Sequence, residues 1–407
     1  MGFRADIERV IANLPPTPER QTFLFSATVS PAIRQIARAS LDKNHSFINT
    51  VSSEDSPVHA HIPQFATVLP SASEQVSHLA NLIAHDQLSN PGKSKIIVFL
   101  NTTKMTQLVS NILIQLKSHL PVPTTRVYEI HSKKQQDART RTSNAFREDN
   151  TGGVILVTSD VSARGVDYPG VTRVIQIGVP SSGEQYVHRV GRTGRGLASA
   201  IGRGDLVVLP FEQQFVSHEL NSVPLQAVGV DEIQAEVSSM AESLAHNSPN
   251  AEALRRSRSL RGPRAFGADM VPRVEAIPTA AKKIVEEQSH EEIEGAFTAM
   301  LGFYAGRKDE LRIRGSEIVD GCKEWISKGM DVSPPPLSQS FLTKIGLGQR
   351  GSPATSPRGG RERSFSHSKM GSSWGFGGRG RGESRSEENR SSRPKWQASG
   401  SSRPSRF

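Results

Sequence analysis

Short apolar runs alternate with longer amphipathic segments between residues 63 and 211. The runs predict β-strands at residues 65–69, 96–100, 126–130, 154–157, 171–178 and 205–209. The segments between them predict helices at residues 73–85, 104–120, 134–147 and 187–195. Buried strands that alternate with helices are typical of an α/β fold, in which a parallel sheet is covered by helices on both faces. Ligands of such sheets bind beyond the carboxyl ends of the strands, so polar residues there are candidates for chemistry.

The pattern differs on either side of this region. Residues 21–25 predict a short strand, and residues 31–41 predict a helix with Pro31 in its first turn, where the missing N–H does no harm. Beyond residue 211 the strand-like runs disappear, and we interpret the remainder as a helical extension packed on the α/β domain, with an unrelated helical spacer as the alternative. The extension's helices are predicted at residues 232–245, 280–302 and 316–328.

Charge is concentrated at the carboxyl end of the chain. The 407 residues carry 50 Lys and Arg against 40 Asp and Glu, a net charge of +10, and residues 331–407 hold 14 of those bases but 5 of those acids. They therefore account for +9 of the total. This tail is rich in Ser, Gly and Arg, and we predict that it is disordered. Its Arg-Gly pairs and scattered aromatic residues favour salt-sensitive contact with RNA, without sequence specificity, over a solvated tail with no specific partner.

Cysteine content and hydropathy exclude several classes of protein. Cys322 is the single cysteine of the sequence, which excludes an intrachain disulfide framework and fits a reducing compartment. No apolar run reaches the roughly 18 residues that a membrane span needs, so we expect no membrane partner. Residues 92–94 (Gly-Lys-Ser) imitate the end of a phosphate-binding P-loop, but they precede a strand instead of following one, and we reject them.

The strongest chemical signal is the segment HRVGRTGR at residues 188–195. On a continuous helix, His188, Arg192 and Arg195 would share one face. Guanidinium groups that point the same way suit a polyphosphate, where an arginine neutralises charge that develops in the transition state. Glycines at positions 191 and 194 would weaken such a helix, which suggests close backbone packing. The alternative interpretation is an exposed basic helix.

A second signal directly follows the predicted strand at residues 154–157. Asp167 can accept hydrogen bonds from a ribose hydroxyl, and Arg164 can pair with a phosphate or a carboxylate. Alone, an aspartate at this point is more often a turn residue. Together with the arginine segment that follows, the pattern favours a nucleotide site at the end of the sheet.

Five segments, in the same order as in the family, resemble the C-terminal half of a DEAD-box ATP-dependent RNA helicase of superfamily 2. They are Ser26-Ala27-Thr28 (the SAT motif), residues 97–102 (motif IV), residues 131–139 (the H-G-K-x-x-Q-x-x-R block), residues 160–167 (motif V) and residues 188–195 (motif VI). Residues 341–347 extend the resemblance towards the branch that includes mitochondrial intron-splicing helicases, in which a helical extension is followed by a basic tail.

The resemblance implies roles for residues on the ATP side. Arg192 and Arg195 would contact the γ-phosphate, with Arg195 favoured as the arginine finger. His188 would relay between the ATP site and the SAT motif. Asp167 would bind the ATP ribose, and Phe99 would pack against the motif VI arginines.

The resemblance also implies residues that bind RNA or couple it to nucleotide closure. They are Ser26, Thr28, Thr102, Gln136, Arg139, Ser159, Arg164 and Gly165. Two positions depart from the family pattern. Ser159 replaces the usual Thr and keeps its hydroxyl, whereas Ser132 replaces the usual Gly, which puts in doubt a close approach of the backbone to RNA there.

The domain organisation implied by the resemblance has five parts. These are the end of a first RecA-like domain (1–49), a linker (50–62), a second RecA-like domain (63–211), the helical extension (212–347) and the disordered tail (348–407). Such helicases also need a P-loop and an Asp-Glu-Ala-Asp motif that holds Mg²⁺, and neither is found in these 407 residues. We therefore expect a fragment or a truncated gene model, with a natural short protein as the alternative and with no metal site of its own.

Two functional hypotheses follow. The first is an ATP-dependent RNA helicase represented by its C-terminal half, which uses ATP and RNA, acts as a monomer and is inactive as an ATPase alone. The second is a non-catalytic RNA-binding or annealing protein. A DNA helicase of the same superfamily is disfavoured by the SAT triplet and the form of motif VI. The resemblance implies a mitochondrial location, with the cytoplasm or nucleus as alternatives.

Overall fold

The computed structural model describes most of the chain between residues 4 and 348. The described residues are 4–16, 19–26, 31–48, 62–162, 165–194, 202–246, 266 and 269–348. The predicted disordered tail, most of the predicted linker, and the site candidates Thr28, Arg164 and Arg195 lie outside these ranges.

The strands of the described residues form one parallel sheet of seven strands. They are β1 (Gln64–Val68), β2 (Ser94–Phe99), β3 (Arg126–Ile130), β4 (Gly153–Thr158), β5 (Arg173–Ile177), β6 (Arg203–Val208) and β7 (Leu225–Ala227). Their order across the sheet is β3-β4-β2-β5-β6-β1-β7. Every neighbouring pair is parallel, which confirms the predicted fold class.

Helices connect the strands and continue beyond them. The first eight are α1 (Arg4–Ala12), α2 (Pro31–Ser40), α3 (Gln75–Ser89), α4 (Thr103–Leu116), α5 (Gln136–Glu148), α6 (Gly183–Val190), α7 (Gln213–Glu219) and α8 (Val230–His246). The next six are α9 (Met270–Glu275), α10 (Ile277–Glu286), α11 (His290–Ala305), α12 (Lys308–Leu311), α13 (Gly315–Glu324) and α14 (Gln339–Lys344). A π-helical turn, Trp325–Gly329, follows α13 directly.

The central strands explain why the sheet is buried on both faces. Every residue of β2 and of β4 is buried. Because side chains alternate along a strand, Ile96 and Val98 of β2 join the core on one face, while Ile97 and Phe99 join a smaller core on the other. Phe146 of α5 belongs to the smaller core, so helices cover both faces as predicted.

The extension shares the larger core with the sheet. Helices α10 and α11 pack on α4, and α8 packs on α3. The buried indole of Trp325 donates a hydrogen bond from Nε1 to Oε1 of Gln75 in α3, at 2.9 Å. These contacts favour the packed extension over an unrelated spacer.

Outside the motif segments, two predicted elements were wrong and one strand was not predicted. Residues 21–25 form no strand, and Phe23 and Phe25 are 69% and 90% exposed. A strand needs a hydrogen-bonding neighbour, and no strand of the described residues pairs with this segment. The other two corrections concern the extension, where the helix predicted at residues 280–302 is interrupted and one further strand is present.

The interruption lies at Ser289, which adopts an extended backbone with φ −63° and ψ 126°. A new helix then begins, with Glu291 and Glu292 in its first turn, where acidic side chains stabilise the helix dipole. The strand β7 pairs with β1 from Gln64↔Leu225 to Ala66↔Ala227. Its three residues are too few to show a periodic pattern in the sequence.

A buried polar cluster lies where α3 crosses the sheet. Arg173 is fully buried and donates from Nε to Oδ2 of Asp205 at 2.7 Å, and Arg203 lies 2.9 Å from the other oxygen of that carboxylate. His78 is buried beside them, with Nε2 3.2 Å from Oγ1 of Thr67. Burial lowers the pKa of His78 to about 4, although the Asp205 carboxylate acts in the opposite direction.

We expect His78 to make stability depend on pH. Its pKa is about 6.5 when unfolded and about 4 when folded, so the unfolded state binds the proton more tightly. The contribution of His78 to the free energy of unfolding is therefore complete above pH 6.5, and it declines by about 3 kcal/mol as the pH falls towards 4. In urea unfolding across this range, the free energy of unfolding should fall less in His78→Gln than in the parent chain.

The matched control is His218→Gln, at an exposed position on α7. It should keep the parent's pH dependence. Parallel curves for His78→Gln and the parent would contradict this assignment.

Candidate functional site

The carboxyl ends of three adjacent strands bring the predicted motifs together. Strand β2 lies between β4 and β5, with Phe99 opposite Thr158 on one side and Gln176 on the other. Parallel strands end at one edge of the sheet, so the loops that follow them are neighbours in space. Motifs IV and V, which are far apart in sequence, are consequently adjacent there.

The loop after β4 is held in a tight turn. The hydroxyl of Thr158 lies 2.8 Å from the carbonyl oxygen of Ile130 in β3 and 2.9 Å from Oγ of Ser162. The N–H of Ser162 donates to the carbonyl of Ser159 at 3.1 Å, closing a 3₁₀ turn over Asp160–Ser162. Ser159 is half-buried at the start of this turn.

Motif VI is not a continuous helix. Helix α6 begins after Ser182, whose side chain accepts from the N–H of Gln185 at 3.2 Å, and it ends at Gly191. Gly194 has φ +64°, a left-handed conformation that glycine adopts without strain. The prediction that His188, Arg192 and Arg195 share one helical face was therefore wrong, because the two glycines end the helix and turn the chain.

The turn after α6 is fixed to the sheet. Thr193 is buried and its hydroxyl donates to the carbonyl of Val171 at 2.5 Å, just before β5. The N–H of Thr193 donates to the carbonyl of Val190 at 3.0 Å. The direction in which the motif VI turn leaves the helix is thus set by a side chain from the motif itself.

Arg192 connects motif VI to motif V. Its guanidinium donates to the carbonyl of Val166 at 2.6 Å, and its Nε donates to the carbonyl of His188 at 3.2 Å. Asp167, the next residue after Val166, is exposed, and its carbonyl accepts from Nε of Arg147 at 3.0 Å. The structure therefore places Arg192, His188 and Asp167 along one edge.

Sequence reasoning missed Arg189, which is fully buried in the same segment. Its Nε donates to Oδ1 of Asp160 at 2.7 Å, and its guanidinium lies over the ring of Phe99, 5.4 Å from the centroid. Phe99 is itself fully buried, and Arg189 is the motif VI arginine in contact with its ring. A buried arginine requires an anionic partner, so the Asp160 before the predicted Asp167 was the available signal.

A second group of candidates lies at the amino ends of α4 and α5. Thr102 caps α4, and its side chain accepts from the N–H of Met105 at 3.2 Å. Gln136 begins α5 and is exposed, and Arg139, one turn later, donates to the side-chain oxygen of Gln136. The hydroxyl of Ser132, the residue that replaces the family's glycine, lies 3.1 Å from Oγ1 of Thr103 and links the two loops.

His131 shapes the turn that precedes α5. Its Nδ1 accepts from the N–H of Lys133 at 3.2 Å, which leaves Nε2 to donate to Glu129 at 3.2 Å. Burial lowers the pKa of His131, although the Glu129 carboxylate opposes this effect. A neutral imidazole suits both bonds.

The remaining candidates within the described ranges are Ser26 and Gly165. Ser26 lies exposed in the segment 21–26, and Gly165 is exposed with φ +71°, with no described atom within 4 Å of the position that a Cβ would take. Within the described ranges, no group of three His, Cys, Asp or Glu side chains could hold a metal ion. No helix in this part of the chain is long and apolar enough to cross a membrane.

Comparison with known proteins agrees with this geometry. Residues 74–196 match the helicase conserved C-terminal domain. Two rice proteins, DEAD-box ATP-dependent RNA helicases 25 and 26, are 36% and 39% identical over 349 residues, which cover 85% of this chain and 49% and 54% of theirs. The mitochondrial ATP-dependent RNA helicase mss116 of Aspergillus oryzae is 32% identical over 351 residues, or 85% of this chain and 48% of that protein.

The fold is also that of a solved helicase. A structure of Mss116p bound to ssRNA and AMP-PNP covers 86% of this chain and 61% of its own, with a TM-score of 0.62 and 23% identity. This likeness identifies the parallel sheet as RecA-like. The chain spans about half the length of the curated relatives named above. The ordered motifs, the helicase C-terminal domain and these relatives together show that the chain resembles the C-terminal half of a DEAD-box helicase of superfamily 2.

Proposed function

We propose that this chain supplies the second motor half of an ATP-dependent RNA helicase, and that it is inactive as an ATPase by itself. One observation carries the proposal. The guanidinium of Arg192 reaches the carbonyl of Val166, 26 residues earlier, and so joins motif VI to the loop that presents Asp167. This arrangement supports a composite nucleotide edge, and the curated relatives are named as ATP-dependent RNA helicases.

In the proposed mechanism this edge completes an ATP site when the two halves of the motor close. Arg192 and Arg195 neutralise charge on the γ-phosphate, and Asp167 accepts hydrogen bonds from the ribose. His188, whose carbonyl already accepts from Arg192, relays the state of the nucleotide to the SAT motif. Phe99 acts through Arg189, which covers its ring.

RNA is proposed to bind along the amino ends of α4 and α5. Helix amino termini present N–H groups that favour phosphates, and Arg139 adds a cation there. Thr102 and Gln136 begin or cap these helices, which supports their role as backbone contacts. The exposed Gly165 leaves room for close approach of RNA, and Ser159, Arg164, Ser26 and Thr28 are proposed to couple RNA binding to closure.

Closure on ATP would clamp RNA between the two halves, bend one strand and separate short duplexes locally, and hydrolysis would reset the clamp. Mg²⁺ neutralises phosphate charge in such reactions. The described residues offer no ligand set for this ion, so none of the steps assigned to this chain passes through it.

A mitochondrial location is a further part of the proposal. It is supported by the relative from Aspergillus oryzae, which is named as mitochondrial. Imaging of a fluorescent fusion in the source cells would test it, and an exclusively cytoplasmic or nuclear signal would contradict it.

We expect the purified chain to show no RNA-stimulated ATP hydrolysis, because its 407 residues contain no P-loop and no Asp-Glu-Ala-Asp motif. Joining it behind the N-terminal half of a relative, such as the rice helicase 26, should give RNA-stimulated turnover. In that chimera, replacing Arg192 or Arg195 with alanine should lower kcat by about a thousandfold, as expected for an arginine that contacts the transferred phosphate.

Arg126→Ala provides the control for the chimera. Arg126 is an exposed arginine on β3 that pairs with Asp149 at 3.0 Å, and its loss should leave turnover unchanged. A chimera that binds RNA but hydrolyses no ATP would favour the non-catalytic RNA-binding or annealing protein. RNA-dependent ATP hydrolysis by the chain alone would contradict the proposal that the chain is inactive as an ATPase by itself.

The chain should bind single-stranded RNA with an affinity that falls steeply with salt, and removal of residues 349–407 should reduce that dependence. Each phosphate that the protein no longer neutralises lowers the slope of log K against log salt by about 0.7 for a single strand. Fluorescence anisotropy over a series of KCl concentrations measures both slopes. Equal slopes for the two chains would show that the tail does not contribute to RNA binding. Tighter binding of DNA than of RNA in competition would contradict the proposal that RNA is the substrate.

Arg139→Ala should weaken RNA binding by the chain that ends at residue 348. Removal of one phosphate-binding cation predicts a slope smaller by about 0.7. Arg141→Ala is the control, because Arg141 lies exposed two residues further along the same helix and outside the motif. An equal effect of both variants would indicate nonspecific attraction to α5 instead of a specific contact.

A further inference from the structure

The carboxyl end of helix α11, in the extension, lies beside motif IV, because Tyr304 contacts Asn101. Tyr304, near its last turn, is buried, and its ring meets the edge of Phe211 with centroids 5.1 Å apart and planes at 84°. Its hydroxyl donates to Oε1 of Glu212, which follows Phe211 in the chain. A polar group of the extension is thus brought beneath the strand ends.

The Glu212 carboxylate is buried and surrounded by donors. The N–H of Val179 donates to Oε1 at 3.0 Å, and the N–H of Leu209 donates to Oε2 at 2.7 Å. Burial raises the pKa of Glu212, while the hydrogen bonds from Tyr304, Leu209 and Val179 act in the opposite direction. Each oxygen of the carboxylate accepts from a backbone N–H, and Oε1 also accepts from the Tyr304 hydroxyl.

The direction of the Tyr304–Glu212 hydrogen bond determines the direction of the next hydrogen bond, between Asn101 and Tyr304. The Tyr304 oxygen, whose proton points to Glu212, accepts from Nδ2 of Asn101 at 3.3 Å. The side-chain oxygen Oδ1 of Asn101 then faces Arg189 and lies 3.5 Å from both terminal nitrogens of its guanidinium. If the amide were reversed, its oxygen would face the Tyr304 oxygen and its NH₂ would face a cation, and both contacts would be unfavourable.

These hydrogen-bonded side chains pack closely around Gly178. At Gly178, which has φ +75°, an added Cβ would lie 2.6 Å from Nδ2 of Asn101 and 2.9 Å from the Tyr304 oxygen. Gly178 therefore allows the extension, the end of β2 and the end of β5 to meet at one point.

We infer that Tyr304 is a positioning residue: through Asn101 its hydroxyl holds the guanidinium of Arg189 against Asp160, so that the helical extension sets the geometry of motif VI. The inference rests on the proposed function for its consequence, namely that the extension aligns the arginine turn at the nucleotide edge.

Solvent exchange of the Arg189 Nε–H tests this in the full chain labelled with ¹⁵N at arginine, with the signal assigned by Arg189→Lys. Tyr304→Phe removes one hydroxyl and keeps the ring. Loss of one hydrogen bond in the series should speed this exchange by about threefold to tenfold. Asn101→Ala should have a similar effect, and the double variant should add little to either, because both act on the same series.

Tyr128→Phe is the matched control, since Tyr128 also donates to a carboxylate, Oδ2 of Asp149 at 2.8 Å, but on β3. It should leave the Arg189 exchange rate unchanged. Unchanged exchange in Tyr304→Phe, an equal change in Tyr128→Phe, or full additivity with Asn101→Ala would each overturn the inference. The measurement contains no RNA or nucleotide, so such a result would leave the proposed helicase function standing, and failed turnover of the chimera would leave this inference standing.

Discussion

The ion pair between the buried Arg189 and the half-buried Asp160 is the interaction on which the candidate site depends. An unpaired guanidinium in the interior would be strongly destabilising, so α6 must lie where Arg189 can reach the turn after β4. At 2.7 Å, with Phe99 beneath the guanidinium, this contact holds α6 against the turn after β4. The turn that follows Gly191 then carries Arg192 to the carbonyl of Val166.

The fold was largely predictable because its determinants are local. Residues 94–99 and 153–158 each contain a continuous apolar run, and such runs indicate strands buried on both faces. Strand β7 and the break at Ser289 were not predictable in the same way. The first depends on pairing with β1, which is more than 150 residues earlier, and the second depends on a single extended residue inside an otherwise helical pattern.

The assignment of His188, Arg192 and Asp167 to a nucleotide site stays a prediction from the ordered motifs. Arg192 does contact the carbonyls of His188 and of Val166, which precedes Asp167. Helical spacing gave the wrong geometry for residues 188–195, because it ignored what two glycines do to the end of a helix. Arg189 was missed because its role is defined by Asp160 and Asn101, contacts that no spacing within motif VI reveals.

The pairing of β7 with β1 has a consequence for where this protein can be divided. A boundary at residue 211 follows the helicase motifs, yet the sheet continues to Ala227, and β7 covers the outer side of β1. A chain ended at residue 211 would leave the outward N–H and C=O groups of β1 unpaired, and unprotected edges of this kind recruit strands from other molecules. In this protein the extension therefore begins inside the sheet, and it replaces an edge of five residues by one of three, the kind of short edge that is less open to pairing with other molecules.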